Sequence, residues 1–297
     1  MDDFSSRPSA GAPEQPIVTV TLPPQGPQPP VPQPAQPRLR WRVSIGLFIA
    51  TCLSTYLVGG PVFAAALMTI LTAHELGHFF QARRYGVPAS LPYFIPMPLT
   101  PIGTMGAVIA MQPQVAPKKA LFDLAITGPL AGLFPALLAS YYGLGMSQII
   151  EPEKTENVIS LGEPLVFKFM SHMVFGQLPE GQDVLLHPLA FAGWVGIFIT
   201  GLNLLPIGQL DGGHILFTLL PHRAYYSISL FLLAGAVVTV VVQGLWEWSL
   251  MLLLLFLVAY HPPTAPGPSR LDPGRVVLGW LTLLFVIFGF TPTPFIL

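Results

Sequence analysis

The residues best suited to chemistry lie in one short stretch, where two histidines four positions apart enclose a glutamate. His74, Glu75 and His78 form an H-E-x-x-H pattern. Residues i and i+4 share one face of a helix, so both imidazoles can reach the same ion. Two histidine ligands beside a carboxylate that acts as general base are the donor set of a hydrolytic zinc ion. The stretch therefore predicts one catalytic zinc bound on a helix.

The chain around this pattern is strongly apolar. Of its 297 residues, 52% are hydrophobic and 9% are charged, against roughly 25% charged in a typical soluble domain. A soluble protein of this composition could not cover its surface with polar groups. We therefore predict an all-α polytopic membrane protein that contacts the lipid bilayer.

Charge and cysteine content exclude other classes. The net charge is −1 and the sequence has no basic stripe, which argues against binding of nucleic acid. The single cysteine, Cys52, excludes both an intramolecular disulfide and a cysteine-based zinc site. The oligomeric state is left open by the sequence.

Apolar runs predict about seven transmembrane helices. Their approximate bounds are Trp41–Val58, Pro61–Ala82, Leu121–Leu144, His187–His214, Tyr225–Val242, Leu245–Tyr260 and Val276–Phe290. Residues 1–40 are rich in proline and predict a disordered cytoplasmic tail. Residues 41–297 then form one membrane-embedded domain, with a catalytic core at about 61–222.

Two glycine patterns accompany the spans. Five prolines between positions 88 and 101 exclude a helix there, so this apolar stretch predicts a re-entrant, β-hairpin-like segment that includes Gly103 and Gly106. In the third span, Gly128 and Gly132 form a small-xxx-small pattern that permits close approach of another helix.

Basic residues predict the orientation in the membrane. With a cytoplasmic N-terminus, alternation of the seven spans leaves only Lys154 and Lys168 outside, so eleven of the thirteen basic residues obey the positive-inside rule. The same alternation places His78 and Asp211 near the cytoplasmic side. We therefore predict a multi-pass protein of a bacterial cytoplasmic membrane whose N-terminus and metal site face the cytoplasm.

Asp211 is the best candidate for the third zinc ligand, because a carboxylate in a lipid-facing helix is costly. Gly212 and Gly213 beside it permit close backbone approach, and Pro206 is expected to kink the fourth span. Asn203, expected two helical turns before Asp211, either binds substrate backbone or an oxyanion, or forms a helix–helix hydrogen bond.

The other acidic groups and histidines have plainer interpretations. Asp123 is expected to cap a helix or to anchor it at the interface, and Glu247 falls on the external side. His214 either orients a ligand from beside the site or has no role there. The remaining histidines are assigned to interfaces or loops, namely His172, His187, His222 and His261.

Several motifs in order resemble the site-2 protease family of intramembrane zinc metalloproteases. They are H-E-x-x-H at His74–His78, G-x-x-G at Gly103–Gly106, G-P-L-A-G at Gly128–Gly132 and N-x-x-P…L-D-G at Asn203–Gly212. These motifs are most similar to those of the plastid and cyanobacterial-type branch of the family. The stretches between the predicted spans are too short for the PDZ domain that some members carry.

The resemblance implies a zinc metalloendopeptidase that cleaves transmembrane segments of membrane-protein substrates in regulated intramembrane proteolysis. It implies that His74, His78 and Asp211 bind zinc and that Glu75 is the acid/base. It further implies that Asn203 holds substrate and that the Gly103–Gly106 hairpin pairs with an unwound substrate strand. Two alternatives remain. One is a catalytically silent homologue that binds membrane helices, which intact Glu75 argues against. The other is a secondary transporter or channel, for which no inverted repeat is visible.

Overall fold

A computed structural model describes residues 41–297 except for 112–115, 152–159, 180, 263, 266–269 and 297. The predicted tail at 1–40 lies outside the described residues. The described part is mostly helical, with small antiparallel strand pairs. Its helices are α1 Trp41–Arg84, α2 Lys118–Leu144, α3 Leu165–Phe175, α4 Pro188–Asn203, α5 Asp211–Leu219, α6 His222–Gln243, α7 Ser249–Leu257 and α8 Pro273–Gly289.

Helix α1 consists of two limbs that meet at Gly60, whose φ of 76° lies in the left-handed region that favours glycine. Phe48 of the first limb and Leu76 of the second line the same groove. In a straight helix these two residues would lie roughly 40 Å apart. The chain therefore reverses at Gly60, in the break between the first two predicted spans, and the limbs run antiparallel.

The main core forms where the second limb of α1 packs against α2 and α4. Phe63 and Leu67 from α1, Ala136 from α2 and Trp194 from α4 are fully buried there. Close approach depends on small residues: a Cβ on Gly193 would stand 2.4 Å from the backbone nitrogen of Ser140. This packing holds the H-E-x-x-H limb at the centre of the protein.

The proline-rich segment after α1 forms an antiparallel pair, β1 Tyr93–Pro96 with β2 Thr104–Val108. Gly103 and Gly106 have φ of 79° and 93°, so both glycines of the G-x-x-G motif adopt conformations that other residues rarely take. The pair lies along the first limb of α1, where Ser54 Oγ donates to the Gly103 carbonyl at 2.6 Å.

The connection between α2 and α4 carries most of the other strands. In that connection β3 Gln148–Ile150 pairs with β5 Asp183–Leu185, while β4 Ser160–Leu161 pairs with β6 Phe295–Ile296, which follows α8. Trp248, in the 3-10 turn Trp246–Trp248, donates from Nε1 to the Pro292 carbonyl at 2.8 Å. The C-terminal strand therefore lies at the same end of the helical bundle as this connection.

The fourth predicted span is not one kinked helix, and that expectation was wrong. Helix α4 ends at Asn203, residues 204–210 form a bent loop, and α5 begins at Asp211. Pro206 cannot donate a helical hydrogen bond and disfavours helical backbone in the residue before it. Gly208 then turns with a φ of 56°. Pro206 therefore belongs to a break between two helices.

Three helices are long and apolar enough to cross a membrane, namely α1, α2 and α6. Three shorter apolar helices accompany them, α3, α4 and α8. Large apolar side chains are exposed along α6, including Phe231 at 77% and Val242 at 78%. Contiguous exposed apolar surface of this kind faces lipid. The protein is therefore a helical membrane protein with at least these candidate spans among its described residues.

Candidate metal centre

Three donor atoms from distant parts of the chain converge in the interior. Asp211 Oδ2 lies 3.3 Å from His74 Nε2 and 3.3 Å from His78 Nε2. The two Nε2 atoms are 3.2 Å apart. With ligand bonds of about 2.0–2.1 Å, the edge of a tetrahedral zinc site is about 3.3–3.4 Å. The triangle of donors therefore has the size that one zinc ion requires.

The second limb of α1 supplies both histidines from one face, as their spacing predicts. Asp211 comes from a different helix and is the first residue of α5. His74 is 5% exposed and His78 is 9% exposed. The predicted grouping of His74, His78 and Asp211 is thus present in space, and no other cluster of three such ligands occurs among the described residues.

The orientation of His78 leaves one nitrogen for a metal. Its Nδ1 lies 2.8 Å from the Leu124 carbonyl, which can only accept, so Nδ1 carries the hydrogen. In the neutral imidazole Nε2 then carries a lone pair, and this lone pair points at the Asp211 carboxylate and His74 Nε2. Converging lone pairs beside a carboxylate are stabilised by a positive charge among them, either a proton or a metal ion. The donor set therefore fits zinc, and the Leu124 carbonyl orients a ligand in the manner usual for metal sites.

Two glycines of α2 provide the room for the imidazoles. A Cβ on Gly128 would stand 2.0 Å from His78 Nε2, and one on Gly132 would stand 2.9 Å from His74 Cβ. Both contacts are closer than any real Cβ tolerates. The G-P-L-A-G motif, predicted to permit close helix packing, thus faces the candidate ligands themselves.

The glycines after Asp211 pack on the loop that leads into it. A Cβ on Gly212 would stand 1.9 Å from the Leu204 carbonyl oxygen, and one on Gly213 would stand 2.2 Å from that of Gly208. Only glycine permits this approach of α5 to its own preceding loop. Gly212 and Gly213 therefore decide where the first turn of α5, and with it Asp211, lies.

Glu75 and Asn203 complete the surroundings of the donor triangle. Glu75 is 5% exposed and lies within electrostatic reach of His74, His78 and Asp211. Asn203, the last residue of α4, has its amide nitrogen 3.5 Å from His74 Nε2. The structure thus brings both predicted polar side chains to the site, although Asn203 is separated from Asp211 by a loop and not by two helical turns.

The hairpin glycines do not meet the donors directly. Within the described residues, no hydrogen bond of Gly103 or Gly106 reaches His74, His78 or Asp211. The Gly103 carbonyl accepts from Ser54, and Gly106 N donates to Thr104 Oγ1 at 3.0 Å. The described hydrogen bonds of these two glycines therefore tie the hairpin to itself and to the first limb of α1.

Sequence reasoning missed two polar pairs on the side of the protein that bears the centre. Asp123 does not cap α2, whose N-cap position is Pro117, and instead accepts from Arg275 of α8 at 2.7 and 2.8 Å and from the Tyr85 hydroxyl. His214 Nδ1 lies 2.6 Å from His261 Nε2. The partners are far apart in sequence, and no pattern in the chain could have joined them.

The site consists of two buried histidines from an H-E-x-x-H helix and a carboxylate from a second helix. This arrangement is typical of a membrane-embedded metallopeptidase. Residues 62–242 match the family model described as peptidase family M50. The chain belongs to peptidase family M50, the site-2 protease family that its motifs resemble.

The chain is similar to several curated plant proteins. The chain is 30% identical over 243 residues to the probable zinc metalloprotease EGY2, chloroplastic, of Arabidopsis thaliana, which covers 77% of the chain and 42% of the relative. It is 33% identical over 159 residues to the probable zinc metalloprotease EGY1, chloroplastic, of Oryza sativa subsp. japonica, with 52% and 27% covered. The chain thus spans less than half the length of these relatives. No solved structure matches it.

Proposed function

We propose that this protein is an intramembrane zinc metalloendopeptidase that cleaves transmembrane segments of membrane-protein substrates. The observation that carries the proposal is the donor triangle, with sides of 3.2, 3.3 and 3.3 Å beside a buried glutamate. Family membership and the names of the relatives support the same chemistry. We further propose that the cleavage serves regulated intramembrane proteolysis.

His74, His78 and Asp211 would hold one zinc ion, and three protein ligands leave one position open, as catalytic zinc sites require. When bound, zinc supplies a Lewis acid for the peptide carbonyl and lowers the pKa of a coordinated water. The protein contributes the fixed arrangement: the Leu124 carbonyl sets the tautomer of His78, and Gly128 and Gly132 leave the imidazoles their space.

Glu75 is the general base and acid in this proposal. Its carboxylate accepts a proton from the attacking water and passes it to the amine that leaves when the peptide C–N bond breaks. Burial of Glu75 in the second limb of α1 keeps bulk water away from these transfers.

Asn203 would bind the substrate next to the reacting carbonyl. Its amide nitrogen stands 3.5 Å from a ligand nitrogen whose lone pair the metal would use, so the amide is free to donate to the substrate. The β1–β2 hairpin would accept an unwound substrate as an added strand, because a peptide must leave its helix before it can be cut. Its position along the first limb of α1 makes that limb the side of substrate entry.

We also propose the sequence-derived orientation, with about seven spans and a re-entrant hairpin in a bacterial cytoplasmic membrane. Tyr85, Asp123 and Arg275 meet at one end of the bundle, whereas β6 pairs with β4 at the other. Spans that alternate in direction place the two sets of connections at opposite ends of the bundle in this way. The metal centre then lies toward the cytoplasmic side, as does the N-terminus.

The test is cleavage of a reconstituted single-span substrate together with measurement of bound zinc. Wild-type protein is expected to carry about one zinc per chain and to cut the substrate. Glu75→Gln should keep the zinc and abolish cleavage, whereas His74→Ala and Asp211→Ala should lose both. His172→Ala, an exposed change in α3, is the matched control and should retain both.

Two results would reject the proposal. Cleavage by Glu75→Gln would remove Glu75 from the mechanism, and full zinc occupancy in Asp211→Ala would remove the third ligand. Binding of the substrate helix by wild-type protein without cleavage would instead favour the silent homologue.

A further inference from the structure

A five-residue segment between α7 and α8, residues 258–262, crosses the loop that leads into Asp211; we call it the strap. Gln209 donates from its backbone nitrogen to the Val258 carbonyl at 2.9 Å and from Nε2 to the Tyr260 carbonyl at 3.0 Å. A Cβ on Gly208 would stand 2.1 Å from the Val258 oxygen. The strap and the loop are thus in direct backbone contact.

The strap also reaches α5 through a buried pair of imidazoles. His261 Nε2 lies 2.6 Å from His214 Nδ1, and His261 Nδ1 lies 2.6 Å from the Pro262 carbonyl. The carbonyl can only accept, so His261 carries its hydrogen on Nδ1 and offers a lone pair at Nε2. His214 must then donate from Nδ1. The hydrogen bonds fix the tautomers of both neutral rings.

Packing holds the His261 ring from several sides. It is fully buried and stacks on Phe217 of α5 with ring centroids 3.8 Å apart and planes 9° apart. Tyr226 of α6 donates to the His261 carbonyl at 2.8 Å. The imidazole therefore cannot rotate without the loss of stacking or of a hydrogen bond, and it is a rigid link between the strap and α5.

Helix α5 takes its position from contacts of this kind. It has nine residues, and its N-cap residue, Leu210, provides no side-chain hydrogen bond. A helix this short is unstable by itself and takes its position from contacts with its neighbours. Asp211 is its first residue, and His214 lies one turn further on. A contact that holds His214 therefore also sets where the Asp211 carboxylate lies.

We propose that His261 is a positioning residue for the metal centre: through His214 it holds α5 so that Asp211 completes the donor triangle. The proposal rests on the proposed zinc site. It assigns a role to residues beyond the stretch 62–242 that matches the family. Their part in the centre is indirect, since the described hydrogen bonds and ring contacts of His261 reach His214, Phe217 and the α6 tyrosines and none of the three proposed ligands.

The test compares His261→Phe with His261→Gln in the full-length protein. Phenylalanine keeps a ring that can stack on Phe217 and removes both nitrogens, whereas glutamine keeps one acceptor and one donor. Zinc affinity, measured by competition with a chelator, should fall about tenfold in His261→Phe, the lower end for groups that orient ligands. The absorption spectrum of the Co²⁺-loaded protein should also change. His261→Gln should recover most of the affinity and the wild-type spectrum.

Trp248→Phe is the control, because it removes one hydrogen bond at the opposite end of the bundle and should leave zinc affinity and the cobalt spectrum unchanged. His214→Phe tests the pair from its other side, and the double variant should be no weaker than either single one. Wild-type affinity in both phenylalanine variants, or an equal loss in Trp248→Phe, would overturn the role of His261. Absence of stoichiometric zinc from wild-type protein would instead overturn the zinc site.

Discussion

Gly128 of α2 lies directly against His78 of α1, so that a Cβ at position 128 would stand 2.0 Å from the metal-facing Nε2. The space that the candidate metal needs is therefore created partly by a missing side chain on a neighbouring helix. Gly128 lies against His78 and Gly132 lies against His74, so each histidine can be tested through its own glycine.

Gly128→Ala should abolish stoichiometric zinc binding although the substitution favours helix by roughly 1 kcal/mol. The added methyl group would displace the His78 ring from the donor triangle. The matched control is Gly46→Ala in the first limb of α1, where a Cβ meets nothing within 4 Å. Metal analysis of the purified variants decides the matter, and full zinc content in Gly128→Ala would contradict the geometry.

Arg275→Met should destabilise the protein by roughly 3 kcal/mol or more, because Asp123, whose side chain is 11% exposed, would keep its charge without its main partner. The double variant Asp123→Leu/Arg275→Met should recover much of the loss, since it removes both charges. Reversible unfolding in mixed detergent micelles measures the free energies. A double variant as unstable as Arg275→Met would show that the ion pair is not the cause.

The proposed orientation predicts which positions water-soluble reagents reach from each side. With Cys52 replaced by serine, a cysteine at Arg223 should react with an impermeant maleimide only from the cytoplasmic side. A cysteine at His172, in the connection between α2 and α4, should react only from outside. Labelling of intact cells and of inverted vesicles separates the two cases. The reverse pattern would invert the topology.

The His261 link predicts a loss of stability in acid. Burial lowers the pKa of His261 to about 4, below the value of about 6.5 of an unfolded histidine. The unfolded chain therefore binds more protons between these values, and stability falls as pH drops from 6.5 to 4. The titratable groups around this ring are His214, His222 and Tyr225, and Tyr226 donates to the His261 carbonyl. The Tm of the metal-free wild-type protein should fall more steeply over this pH range than the Tm of metal-free His261→Gln. Equal slopes would argue against a contribution of His261.

Much of the centre followed from local sequence. The i, i+4 spacing places both histidines on one helical face, and the cost of a carboxylate in a lipid-facing helix singled out Asp211, which lies beside them. The turn at Gly60 and the absence of a helix in the proline-rich stretch also followed, because glycine and proline act on the backbone at their own positions.

Other features depend on tertiary contacts that no local pattern encodes. The sequence suggested that Pro206 kinks a continuous helix, whereas the chain leaves the helix at Asn203 and turns again at Gly208, whose space is set by Val258. His261 and Arg275 find their partners 47 and 152 positions away. Their importance is visible only after the helices have packed.

The position of the strap near the C-terminal end of the described chain has a consequence for biosynthesis. Ribosomes release the H-E-x-x-H helix long before residues 258–262 and Arg275. Contacts between such distant segments form late, because the closure of long loops is entropically costly. A nascent chain that has inserted its early helices thus still lacks the residues that hold α5. On the proposed role of His261, the centre would mature only after the last helices have entered the bilayer.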